Sequence, residues 1–348
     1  MRFKGEPAPA APFRAVFATL ILAAATITFA ADDHWKTEVE KSVRDVNFHG
    51  VILIQDSGRT VFQQGFGEAG ATESADTRYW IASISKSFTA TLIFRLEERG
   101  ALKRSDTLDK FFPDAPADKK SITIQQLLTH TSGLPNKYAS EGVVDRAEAV
   151  RTILALPLLQ EPGKSFKYTN DGYSLLAAIA EVAAKTPFRK LLEQEIFRPA
   201  QMTNSGLWPT CPGAAPVLPL SEMPPQAMQR ENWGYKGPDG ICSDTEDLAR
   251  WMNALIAGKF LRRETLEEMW KPQTRAGEDE VASGWFGSTS AAGTRIVWTR
   301  GTDHGHNSIL KYYPTRKLLV VSLSSSKDPD GPLLARLLVN GLEKRLSW

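Results

Sequence analysis

Tyr79-Trp80-Ile81-Ala82-Ser83-Ile84-Ser85-Lys86-Ser87-Phe88-Thr89-Ala90 sets a serine three residues ahead of a lysine, where an apolar run gives way to helical periodicity. From Ser83 to Arg99 the apolar residues Phe88, Leu92, Ile93 and Leu96 recur at helical spacing, and Gly100 suits the stop. Residues three apart share a helix face, so Lys86 lies one turn below the Ser83 hydroxyl. A desolvated lysine loses its proton readily and serves as a base. A helix N-terminus favours negative charge developing nearby. Taken alone, the pair fits equally well an N-cap serine with a solvated lysine. Ser308/Lys311 and Ser324/Lys327 repeat the spacing. The first lies in a predicted strand, where such positions face opposite ways, and the second runs into a Pro-Gly turn.

Upstream of this segment, Asn47 to Gln55 reads as a buried strand, Ser57-Gly58 as a turn and Thr60 to Phe66 as the returning strand. Downstream, residues 105 to 235 read as helical segments broken by Pro and Gly, among them Ile124 to Leu128, Ala147 to Leu156 and Tyr173 to Lys185. Residues 205 to 225 carry six prolines and read as an irregular loop. Thr245 to Ala257 is a further helix, capped by Asp244 or Thr245. Gly284 to Thr289, Thr294 to Thr299, Asn307 to Tyr313 and Lys317 to Leu323 read as strands, and Leu333 to Leu346 as a closing amphipathic helix. Strands at both ends with helices between predict an α/β (α+β) fold. One antiparallel sheet is formed by both chain ends and flanked by helices, with an all-helical insert. Residues 31–104 and 236–348 would form the sheet part and 105–235 the insert.

The 348 residues are 42% hydrophobic and 24% charged, an ordinary globular composition. The formal charge of +2 gives no reason to expect nucleic acid as a partner. Arg2, Lys4 and Arg14 against Glu6 account for all of it, so the chain from Ala31 is formally neutral. That basic start, the apolar run Ala15 to Ala30 and the small residues at its end read as a cleavable signal peptide over residues 1–30, with cleavage near Ala30. A periplasmic or secreted protein without a stable membrane anchor is expected. There Cys211 and Cys242 either pair or remain two buried thiols. Gly65 to Gly70 matches a dinucleotide fingerprint, but no helix opens at its third glycine, and a glycine-rich hairpin strand is the better reading. His304-Gly305-His306 reads as two loop histidines, since no acidic or cysteine cluster stands at ligand spacing.

Tyr168-Thr169-Asn170 is the only Tyr-x-Asn among seven tyrosines. A tyrosine beside a cationic lysine can shuttle the serine proton, and asparagine offers a donor and an acceptor to an amide. With these residues the chain resembles the beta-lactamase and penicillin-binding-protein superfamily, in its class C beta-lactamase-related branch. Tyr79 to Ala90 is similar to the nucleophile segment. Ile122 to Leu134, reading ITIQQLLTHTSGL, resembles the branch signature, and Tyr168-Thr169-Asn170 the second catalytic motif. Pro238-Asp239-Gly240-Ile241-Cys242-Ser243, leading into Asp247-Leu248-Ala249, is also similar. The resemblance spans roughly residues 45 to 325. It implies Ser83 as acylated nucleophile, Lys86 as its activating partner, Tyr168 as proton shuttle, Asn170 as substrate-orienting residue and a structural place for His130. Either Lys86 or Tyr168 would be the base. The chain departs from the Lys-Thr-Gly or His-Thr-Gly usual on the edge strand, with Thr299-Arg300-Gly301 in that place. Gly301 would let the strand approach substrate and Thr302 N–H with Ser83 N–H would form the oxyanion hole, while Arg300 fits equally a residue that binds a substrate carboxylate and a solvated strand residue facing away. The expected activity is a serine hydrolase acting through an acyl-enzyme on a β-lactam, a D-amino-acid peptide or a short ester, without metal or cofactor. The alternative is a penicillin-binding or cell-wall-sensing module of the same fold without efficient turnover.

Overall fold

The computed structural model describes residues 34–67, 74–211, 230–290, 292–325 and 338–344. The predicted signal peptide lies outside them. The chain enters through α1 (His34–Asp45), which the sequence reading had not assigned; Trp35, Val39 and Val43 lie on its buried face at four-residue spacing. Asn47, at φ +46, turns the chain out of this helix, so β1 begins at Gly50 instead of Asn47.

The main sheet has eight antiparallel strands in the order β2-β1-β11-β10-β9-β8-β7-β6. They are β1 (Gly50–Asp56), β2 (Arg59–Phe66), β6 (Thr274–Ala276), β7 (Asp279–Val281), β8 (Phe286–Thr289), β9 (Arg295–Asp303), β10 (His306–Tyr313) and β11 (Leu318–Ser325). Both chain ends meet at the β1–β11 pair, where Leu53 stands opposite Val321. Val51 to Ile54 are fully buried, which is why this stretch reads as a continuous apolar run. Gly65 lies in β2, in keeping with the hairpin-strand reading, while Gly70 lies outside the described residues.

A second sheet, β3-β5-β4, was not anticipated. It joins β3 (Tyr79–Trp80), β4 (Gly206–Leu207) and β5 (Ile241–Ser243), strands too short to show periodicity. Its presence corrects the opening of the 205–225 segment, which is strand and not loop; residues 212–229 lie outside the described set. The Cys211–Cys242 disulfide closes this small sheet.

Helices occupy the middle of the chain: α2 (Ser85–Glu98), α3 (Leu108–Phe111), α4 (Ile124–Leu128), α5 (Arg146–Leu154), α6 (Asn170–Ala184), α7 (Phe188–Leu192) and α8 (Arg198–Ala200), with a π-helical stretch at Glu193–Phe197. They are followed by α9 (Thr245–Ile256), α10 (Arg263–Met269) and a helix at residues 338–344. Asp244, and not Thr245, caps α9, accepting from Asp247 N at 2.7 Å. The predicted closing helix coincides with residues 338–344, and its remaining residues are outside the described set. The core is built on α2 and α6, both buried around most of their circumference. Phe88 of α2 stacks on Trp251 of α9 at 3.9 Å, and Trp251 stacks on Trp285. Burial of both helices fixes where their N-termini lie, and the candidate catalytic residues are at those N-termini. Among the described residues no helix is long and apolar enough to cross a membrane.

Candidate active site

Ser83 sits in a 3-10 turn, Ala82–Ile84, that feeds α2. In such a turn positions i and i+3 eclipse, and Lys86 comes directly beneath the serine. Lys86 Nζ donates to Ser83 Oγ at 2.9 Å and to Pro238 O at 2.9 Å, and the residue is only 3% exposed. The N-cap reading of Ser83 is thereby corrected: its hydroxyl turns into the site and caps no helix. The rival Ser308/Lys311 pair is split between faces, with Ser308 Oγ donating to Ile81 O and Lys311 reaching Glu343.

Tyr168 Oη donates to Ser83 Oγ at 2.8 Å. Its ring stacks on His130 with centroids 4.4 Å apart, and Lys86 Nζ lies 4.9 Å from the ring centroid. His130 holds this segment at three points: the ring stack, its Nδ1 accepting from Thr169 N, and its carbonyl accepting from Lys167 N. Burial, and then the charge of Lys86, push the His130 pKa well below the usual histidine value, so the ring is neutral. Thr169 caps α6, and Asn170 opens it. Asn170 N donates to Asn136 Oδ1, while Asn170 Oδ1, buried at the wall of the cleft, accepts nothing from the protein.

The edge strand completes the site. β8 pairs with β9 only as far as Trp298, so Thr299 to Asp303 border the cleft directly. Gly301 fits the role given to it, because a Cβ there would stand 2.6 Å from Ser83 N and 2.5 Å from Ile81 O. Thr299, at the position usually held by a cation, is buried. Arg300 is exposed on the cleft rim, its guanidinium 5.5 Å from the Trp298 ring centroid. His306 is no loop residue as expected. It opens β10, is buried, and accepts from Trp80 N at 2.9 Å, whereas His304 lies in the turn against Tyr235. Ser83, Lys86, Tyr168, Asn170, Arg300, Gly301 and Thr302 all line one cleft of about 880 Å³.

Three polar groups at this site were missed. Asp239 is fully buried; its Oδ1 accepts from Ser83 Oγ at 3.2 Å and its Oδ2 from Tyr138 Oη at 2.7 Å. Burial and the Asp239 charge raise the phenol pKa of Tyr138. Asp303, at the end of β9, has its carboxyl pushed up to about 8 by burial and then by the charge of Asp239. Pro238-Asp239-Gly240 was noted for its resemblance alone, and Tyr138 is one tyrosine among seven, so only three-dimensional convergence identifies them.

A Beta-lactamase family model matches residues 36–342. A penicillin-binding protein of Bacillus subtilis (strain 168) is 27% identical over 331 residues, covering 85% of this chain and 72% of that protein. Protein flp of Staphylococcus aureus (strain N315) is 26% identical over 316 residues, covering 82% of this chain; the chain spans 61% of its length. The solved D-amino acid amidase of Ochrobactrum anthropi SV3, complexed with L-phenylalanine amide, shares the fold with a TM-score of 0.75 at 19% identity, covering 90% of this chain and 99% of that one. With the Ser-x-x-Lys pair, the tyrosine and the edge strand gathered in one cleft, and a family model matching nearly the whole length, the chain belongs to the Beta-lactamase family.

Proposed function

We propose that this chain is an exported serine hydrolase that transfers the acyl group of an amide or ester to Ser83 and then to water. The observation that carries this reading is the pair of donors on one half-buried hydroxyl, Lys86 Nζ and Tyr168 Oη, at the floor of an open cleft. Both stabilise negative charge as it develops on Ser83 Oγ. Ser83 N–H and Thr302 N–H receive the carbonyl oxygen. Asn170 Oδ1 accepts an N–H from the substrate, and Arg300 pairs with a substrate carboxylate. Candidate substrates are D-amino-acid peptides or amides, β-lactams and short esters. The penicillin-binding and amidase relatives support the amide classes. Export rests on the pattern of residues 1–30, and a disulfide agrees with an oxidising compartment.

The test is turnover of an activated ester, a chromogenic cephalosporin and a D-Ala-D-Ala peptide by the parent and by Ser83→Ala. Loss of the nucleophile lowers turnover by about 10³-fold or more. Unchanged ester hydrolysis by Ser83→Ala sinks the reading. The buried Thr299, where relatives carry a cation, favours one second reading, a penicillin-binding module with slow deacylation. A penicillin adduct on Ser83 that persists in mass spectra distinguishes it from one that hydrolyses.

A further inference from the structure

Ser83 Oγ has three hydrogen-bond neighbours. Lys86 and Tyr168 both donate to it, whereas Asp239 accepts from it. A hydroxyl carries one proton, and here that proton points at a carboxylate. We propose that Asp239 is a catalytic residue of this site, the acceptor of the Ser83 proton as the acyl-enzyme forms. The proposal rests on the reading of Ser83 as nucleophile.

The backbone is arranged to deliver this carboxylate. Gly237, at φ +98, precedes Pro238-Asp239, and a Cβ on it would lie 2.2 Å from Tyr173 O, so only glycine lets the chain pass this close to α6. The segment is laced along α2: Thr89 Oγ1 donates to Gly237 O, Lys86 Nζ to Pro238 O, and Ile241 N to Ser85 Oγ. Asp239 is thus carried on the same helix face as the nucleophile and lysine. A fully buried carboxylate is costly unless its oxygens are satisfied. Here one oxygen is held by Tyr138, and the other is spent on the reacting hydroxyl. Tyr138 from the segment before α5, Tyr235 from the segment before β5 and Asp303 from β9 interact with its charge, and Lys86 from α2 and Tyr168 from the segment before α6 meet it at the shared Ser83 hydroxyl.

The step balances without a further reactant. As the Ser83 Oγ–carbon bond forms, the Oγ–H proton passes to Asp239 Oδ1 and the carbonyl π electrons move to the oxygen facing Ser83 N–H. On collapse the bond to the leaving nitrogen or oxygen breaks, and that atom takes the proton from Asp239. In deacylation water gives its proton to Asp239 and its oxygen to the acyl carbon. The same proton then returns to Ser83 Oγ as the ester bond breaks. Lys86 and Tyr168 remain hydrogen-bond donors throughout the proton transfers to and from Asp239.

The test uses the purified full chain and a p-nitrophenyl ester, with the acylation rate followed across pH and the adduct located by mass spectrometry. A Ser83 adduct in the parent establishes the nucleophile; its absence with every acyl donor overturns that reading and this proposal with it. Given the adduct, Asp239→Asn, which puts a donor in place of the acceptor, lowers the acylation rate by about 10²-fold or more and abolishes the acid limb of the profile. A rate within about threefold of the parent with the limb intact overturns the proposal while leaving the hydrolase reading standing. Should Asp239→Asn fail to fold, Tyr138→Phe decides. It removes a donor to the carboxylate, so the acid limb moves to higher pH, and an unmoved limb overturns the proposal.

Discussion

Asp303 shows how a single residue's surroundings become a pH dependence. Its carboxyl is held to about 8 in the fold by burial and the neighbouring Asp239 charge, against about 4 in an unfolded chain. The folded state therefore keeps a proton that the unfolded state has released. The associated stability is fully present below about pH 4 and is lost as pH rises towards 8, by at most about 1.4 kcal/mol per unit. Asp303→Asn removes this loss. Its melting temperature relative to the parent should rise between pH 5 and pH 8, and a constant difference would refute the assignment. At the same scale, Ser83, Lys86, Tyr168 and Asn170 were legible as candidates because Ser-x-x-Lys and Tyr-x-Asn stand among further motifs of the superfamily the chain resembles, whereas the Ser-x-x-Lys spacing alone occurs three times. Asp239 was not, because an aspartate between proline and glycine is normally a solvated turn residue.

At the scale of elements, the N-terminus of α6 organises one wall of the cleft. Asp171, in its first turn and buried, accepts from three consecutive backbone amides, Lys137 N, Tyr138 N and Ala139 N, at 2.7, 3.1 and 2.7 Å. This forces Tyr138 to φ +49 and aims its hydroxyl at Asp239. Hydrogen bonds to a buried charge contribute about 1.5–3 kcal/mol each. Asp171→Ala should cost about 3 kcal/mol in denaturant unfolding, and the 137–139 amides should lose exchange protection ahead of those of α6. Protection equal to the parent's would show that other contacts hold the loop. Long periodic elements such as α2, α6, α9 and β9 to β11 were readable to within a few residues. Strands of two or three residues, β3 to β7, were not, since their pairing and not their pattern defines them.

For the whole molecule, the Cys211–Cys242 bond joins residues 31 apart and ties β5 to the chain just after β4. Closing a loop of that length restricts the unfolded chain, and the Cys211→Ser, Cys242→Ser pair should lose about 3–4 kcal/mol in unfolding free energy. Denatured, unreduced protein should titrate no thiols, and two free thiols would exclude the bond. The sequence by itself determined the sheet built from both ends, the helices between and the Ser-x-x-Lys and Tyr-x-Asn segments as candidates, because each is written in local periodicity or in fixed short spacing. Tertiary structure decided what the serine proton faces. Ser83, Tyr138, Tyr168, Asp239 and Asp303 come from five separate stretches of chain, and no one-dimensional spacing records that a buried aspartate stands 3.2 Å from the Ser83 hydroxyl. That distance follows from two buried helices and a glycine-hinged segment packed between them, which only the folded core brings together.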